Sequence, residues 1–369
     1  MNSFLTRRGP ISIRVTRHMR LLGLGFAAAL AAALMPATAL AKKTAANWDA
    51  AEQRAVVKAG VMSEATPGNF NGAATLSPQD EKQALAALAA HQELARGESE
   101  STTTTTTAPS NTATPAVSAT ATLTVRRFDA LLVDQLGLAT TAAHVQQTAA
   151  AAGLQPPSTF GTEVVARYLG LRYNHPAGED SLELYPWNPI TRAEAAHSFA
   201  AALEAGSWTV EAARETLEAF SLPHYTANQL TVLRIAVSKI GMPYVWGGTT
   251  DGTEDGLEHG GYDCSGFAWR VYKVSGLSWG TKILGRTAAQ QAGEVPKSAR
   301  IHLQEVQPAD LLFFGSAHFN STATEANVIH EGIALSNEWA IHSSSQGVYV
   351  LPLTSGWLAQ QFVWARRVL

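Results

Sequence analysis

This 369-residue chain contains one thiol, Cys264. A lone cysteine cannot close an intramolecular disulfide or build a zinc site that needs two thiolates. Its surroundings suit a working thiol. Gly261-Tyr262-Asp263-Cys264-Ser265-Gly266-Phe267 reads as a turn entering a helix. Asp263 is the N-cap, and Phe267, Val271 and Val274 follow at helical spacing before Gly276 closes the segment. Cys264 then sits in the first helical turn. Unpaired amides and the positive dipole end there favour a thiolate and lower the thiol pKa. A thiolate is the nucleophile of a cysteine hydrolase.

Such a nucleophile needs a base, and two histidines have the spacing to supply one. Residues 328–335 and 339–343 read as strands joined by Ser336-Asn337-Glu338. Pairing Leu335 with Trp339 across this turn puts Gly332 opposite His342 and Ala334 opposite Ala340. His330 then shares a face with His342 as its diagonal neighbour, about 7–8 Å away along the backbone and within reach of an imidazole. One ring can take the thiol proton while the other fixes its tautomer. A pair of structural histidines would show the same spacing. His330-Glu331 also opens like a zinc-peptidase motif, but Ala334 stands where the second histidine belongs. His259, His302 and His318 lie in polar loops without ligand spacing, and no Gly-rich phosphate loop occurs. These spacings supply no metal-ligand set and no cofactor motif.

The elements around these residues end the chain. A helix is expected over residues 227–240, striped by Leu230, Leu233, Val237 and Ile240 and ended by Gly241 and Pro243. Pro243-Tyr244-Val245-Trp246-Gly247-Gly248 runs into a turn, and an acidic loop (Asp251, Glu254, Asp255, Glu258) leads back to Asp263. Upstream, residues 1–20 carry five arginines and no acid, residues 21–34 are apolar, and Ala39-Leu40-Ala41 precedes Lys42. This pattern predicts a secretory signal peptide over residues 1–41, with Met19 an alternative start. An uncleaved anchor is the rival reading. Cleavage would leave 22 basic residues against 30 acidic ones, a net charge of −8 in place of −3, which gives no footprint for nucleic acid. Residues 101–122 hold 13 Ser/Thr and no charge and read as a linker. With 46% hydrophobic residues, 9 Trp, 8 Tyr and 12 Phe, the rest has ample surface to bury.

Residues 227–369 resemble the NlpC-type papain-like cysteine peptidases of bacterial cell walls. Four blocks carry the resemblance: Gly241-x-Pro-Tyr-x-Trp-Gly-Gly248, Asp263-Cys-Ser-Gly-Phe267, Gly285-Arg-Thr-Ala-Ala-Gln290 and Pro308-x-Asp-Leu-Leu-Phe-Phe314. The His330-x-Gly-Ile333 strand and Ile341-His342 follow. The resemblance implies an α+β papain-like domain over 223–369, with helices packed on an antiparallel sheet. It makes Cys264 the nucleophile, His330 the base and His342 its orienting partner. Tyr244 would assist the oxyanion, and Asp263 and Ser265 would line the substrate side. It implies cleavage of peptidoglycan stem peptides at the D-γ-glutamyl to diamino-acid bond, in a secreted, envelope-associated protein with no membrane contact after signal cleavage. Three features depart from the family pattern: long stretches between Gly248 and Asp263 and between Phe314 and Val328, and Glu331 where an apolar residue commonly follows the base.

Residues 42–100 and 123–222 echo one another. Segments 76–81, 123–128 and 190–194 each open a helix. Thr191 and Glu194 form a capping box, which Ser77 and Asp80 imitate. Ile190-Thr-Arg-Ala-Glu194 resembles the S-layer-homology repeat, an all-α wall anchor that binds secondary cell-wall polysaccharide. Two rivals stand beside the endopeptidase reading: an N-acetylmuramoyl-L-alanine amidase of the same fold, and a non-catalytic wall protein.

Overall fold

The computed structural model describes residues 48–100 and 122–369. The expected signal peptide and nearly all of the Ser/Thr-rich linker lie outside the described residues. The described residues fall in one compact unit. Among the described residues, no helix is long and apolar enough to cross a membrane.

The N-terminal part is helical: α1 (Ala50–Lys58), α2 (Pro78–Glu100), α3 (Val125–Gln135), α4 (Ala139–Ala151), α5 (Phe160–Tyr168), α6 (Arg192–Glu204) and α7 (Ser207–Glu218). The three echoed segments meet at one point. Leu76 N–H donates to Ile190 O at 2.9 Å, and Ile190 N–H donates to Leu123 O at 3.0 Å. Their side chains are buried together, so one apolar knot gathers the starts of α2, α3 and α6. The capping box forms only by half. Thr191 Oγ1 accepts from Glu194 N–H at 3.2 Å. The Glu194 carboxylate instead takes Arg172 Nη2 at 2.6 Å and His175 Nε2 at 3.0 Å. Buried charged partners win over a local amide because an unpaired buried charge costs far more. The motif's arginine is also spent inside the fold. Arg192 donates to Phe70 O at 3.0 Å, Ser63 O at 2.5 Å and Asp80 at 3.1 Å.

The C-terminal part runs α8 (Ala227–Ser238), β1 (Thr249–Thr250), β2 (Gly261–Tyr262), α9 (Cys264–Val274), α10 (Ala288–Gly293), β3 (Leu311–Phe314), β4 (His330–Ala334), β5 (Trp339–Ser344), β6 (Gly347–Pro352), α11 (Gly356–Gln361) and β7 (Phe362–Arg366). Strands β6-β5-β4-β3-β7 form one antiparallel sheet. Alternation sends Leu311, Phe313, Ile333 and Ile341 to the core that holds Phe267 and Val271 of α9. Leu312, Phe314, Ala334, Ala340 and Ala365 join Leu353 and Leu358 in a second cluster. Each large apolar side chain fully buried this way contributes about 1.5–3 kcal/mol. The sheet is therefore fixed on both faces, and its end near His330 is held rigidly.

Polar bonds tie the two parts together. Arg167 Nη2 donates to Gly241 O at 3.0 Å, Tyr244 N–H to Asn174 Oδ1 at 2.7 Å, and Tyr185 Oη to Asp251 O at 2.8 Å. Gly241 and Tyr244 belong to the run that leads into the thiol site.

Candidate active site

Cys264 opens α9, as its flanking residues predict. Asp263 is the N-cap, and its Oδ1 accepts from Gly266 N–H at 2.6 Å. Gly266 is required there, because a Cβ would stand 2.1 Å from Gly248 O. Backbone hydrogen bonds from Glu331 and Ser265 reach the Cys264 sulfur. The first of these explains how the sheet accepts the thiol. Pairing of β4 with β5 runs from Ala334–Ala340 to Gly332–His342 and stops, leaving the Glu331 N–H outside that ladder. The sulfur thus lies against β4 one residue beyond His330.

The β4–β5 register is the one the turn dictates: Gly332 faces His342, and Leu335 N–H donates to Trp339 O at 2.8 Å. His330 Nε2 lies 2.7 Å from His342 Nδ1. Gly332 makes this approach possible, since a Cβ there would sit 3.1 Å from the His342 Cβ. With Nε2 taken by His342, Nδ1 is the nitrogen of His330 able to receive a proton. It does so only in the tautomer where His330 Nε2–H donates to His342 Nδ1.

Burial sets the charges. The helix-terminus expectation of a lowered thiol pKa is overturned: the Cys264 pKa is pushed up to about 12. Desolvation is the main cause, and the negative charge of Asp263 and, when it is ionised, that of Glu331 add to it; the two backbone bonds oppose it without prevailing. Desolvation also lowers His330 to about 4 and holds His342 well below the usual imidazole range. The thiol and both imidazoles are therefore neutral in the free protein.

Asp263 and Ser265 turn their polar atoms inward. Arg286 Nη1 donates to Asp263 Oδ1 at 3.0 Å and Nη2 to Oδ2 at 2.8 Å, while Gly247 N–H donates to Oδ2 at 3.0 Å. Ser265 Oγ donates to Asp263 Oδ1 at 3.3 Å, and Ser265 is only 3% exposed. Both hold the start of α9 and present no free polar group outward. Tyr244 faces Cys264 electrostatically, and burial raises its phenol far above the usual range, so it stays a neutral donor.

Three contacts escape sequence reading. Arg286 stands inside the Gly285–Gln290 block, and a buried N-cap acid needing a counter-charge was the available signal. Asn174 holds the Tyr244 amide from the helical part. Trp357 of α11 stands edge-on to His330 with ring centroids 5.5 Å apart, and it is 41% exposed. No local pattern announces the last two.

Residues 241–367 match the NlpC/P60 family. This part of the chain is an NlpC/P60 domain. A bifunctional muramidase/DL-endopeptidase from Bacillus subtilis is 31% identical over 133 residues, 36% of this chain and 34% of that protein. A probable peptidoglycan endopeptidase from the same organism is 30% identical over 132 residues, 36% and 32% of the two chains. A gamma-D-glutamyl-L-lysine dipeptidyl-peptidase from Bacillus cereus is 30% identical over 132 residues, 35% and 33%. The chain spans about a third of the length of each of these relatives.

Proposed function

We propose that the protein is an exported peptidoglycan hydrolase of the cell envelope that cuts an amide bond in stem peptides, at the D-γ-glutamyl to diamino-acid linkage. One observation carries the reading: the sulfur of Cys264 sits against the residue after His330, whose ring is bonded to His342. The gamma-D-glutamyl-L-lysine dipeptidyl-peptidase among its relatives supports the choice of bond.

In this reaction Cys264 attacks the amide carbonyl as its proton passes to His330 Nδ1. The imidazolium then protonates the leaving amine, and water releases the thioester with His330 again as base. His342 keeps the tautomer by accepting from Nε2–H. The Tyr244 hydroxyl and the amides at the start of α9 stabilise the oxyanion. Asp263 and Ser265 act behind the nucleophile by holding the helix start.

Incubation of the mature full chain with purified peptidoglycan, followed by mass spectrometry, tests the reading. Split stems absent with Cys264→Ala are expected. Release of intact stem peptides would instead identify an amidase, and no cleavage by the parent chain would leave a wall protein without this activity. Retention at the wall through the helical part belongs to the same proposal. Equal sedimentation of Cys264→Ala with walls stripped of secondary polysaccharide and with unstripped walls would refute polymer binding.

A further inference from the structure

The residue after the base is an acid in an apolar place. Glu331 shares the β4 face of Ile333, which packs in the core with α9. It is 0% exposed, and neither carboxyl oxygen has a hydrogen-bond partner. An ionised carboxylate left unpaired in such surroundings is costly. The cations within electrostatic range are already committed. Arg366 Nη1 is bonded to Glu294 at 2.6 Å, and Arg286 forks onto Asp263. Asp263 at the start of α9 and Glu294 after α10 add repulsion, and Tyr272 of α9 also faces the group. Yet the main chain of Glu331 donates to the Cys264 sulfur, while its side chain opposes negative charge there.

We propose that Glu331 is a positioning residue that governs ionisation of Cys264: protonated, it lets the thiol proton leave; ionised, it holds that proton on sulfur. Two like charges in a dry site titrate as a pair. Burial keeps Glu331 protonated well above the ordinary carboxyl range, so the permissive form is the neutral one. His330 and His342 give no compensating charge, since both are held neutral. The inference rests on Cys264 being the nucleophile proposed above, but its test reads the thiol directly and needs no substrate.

Alkylation of the full chain by iodoacetamide between pH 6 and 11 reports the thiolate, and Cys264 is the sole thiol. Glu331→Gln and Glu331→Leu both remove the charge. Each is expected to alkylate about tenfold faster than the parent toward the alkaline end of this range, where Glu331 is ionised in the parent, and like the parent where Glu331 is already neutral; tenfold is equivalent to one pKa unit. Glu331→Leu places an apolar side chain in an apolar site, so it keeps the fold where an amide would not. A parent-like rate–pH curve in Glu331→Leu, whatever its melting temperature, overturns the proposal. A slower thiol in both variants overturns it as well.

Discussion

Replacing Arg286 by alanine tests how the helix of the proposed nucleophile is held. Its guanidinium makes two bonds to Asp263, at 3.0 and 2.8 Å, and a third to Ser265 Oγ at 3.2 Å. Hydrogen bonds to charged groups contribute about 1.5–3 kcal/mol each. The arginine side chain is 38% exposed, so solvent screens the pair, and we take about 2–3 kcal/mol for the whole fork. Asp263, only 11% exposed, then keeps its amide donors but loses its counter-charge. The same cation faces Cys264, so its removal pushes the thiol still higher. Thermal unfolding of Arg286→Ala should show a midpoint at least about 4 °C lower, and iodoacetamide should modify its thiol about tenfold more slowly. Arg286→Lys keeps charge without the fork and should fall between the two. If Arg286→Ala melts and alkylates like the parent, Asp263 caps the helix unaided and the reasoning fails.

His342→Ala leaves His330 Nε2–H buried without an acceptor and should lower kcat by about a hundredfold or more; His342→Gln, which can still accept, should recover part of it in steady-state assays. His330 must be neutral to receive the thiol proton, and a pKa lowered to about 4 keeps it so at every higher pH. The acid limb of kcat/KM should therefore have its midpoint near 4, and a limb near the ordinary imidazole value of about 6.5 would contradict this. Asn174→Ala strands the Tyr244 amide and should cost about 1–3 kcal/mol in denaturant unfolding. It should also lower kcat, and an unchanged kcat would separate the helical part from the chemistry.

The strand register and the helix start were legible because both depend on neighbours in sequence. A short turn and a period of two fix every β4–β5 partner, and an acid before Cys-Ser-Gly fixes a cap. The charge state was not legible. Amide dipoles at a helix end are local and lower a thiol pKa, but the burial that raises it comes from strands and loops far along the chain. Glu194 fails to close its box for the same reason: Arg172 and His175, which claim it, come from outside its helix. Arg286, Asn174 and Trp357 all reach the site across the fold, so only tertiary structure reveals them.

The neutral resting site has a chemical consequence. With the thiol near 12 and its proposed base near 4, the proton stays on sulfur in the free protein. The thiolate is the form that attacks alkylating and oxidising agents, so a neutral thiol reacts slowly with them. For a protein proposed to work outside the cytoplasm, that protects its one cysteine between turnovers. In the proposed reaction, ionisation then has to accompany attack, when the carbonyl stands over the sulfur and the amides at the start of α9 can receive the developing oxyanion. The substrate, by bringing that carbonyl, supplies what burial withholds. Under that proposal the sulfur becomes a strong nucleophile only while a bond is present to be cut.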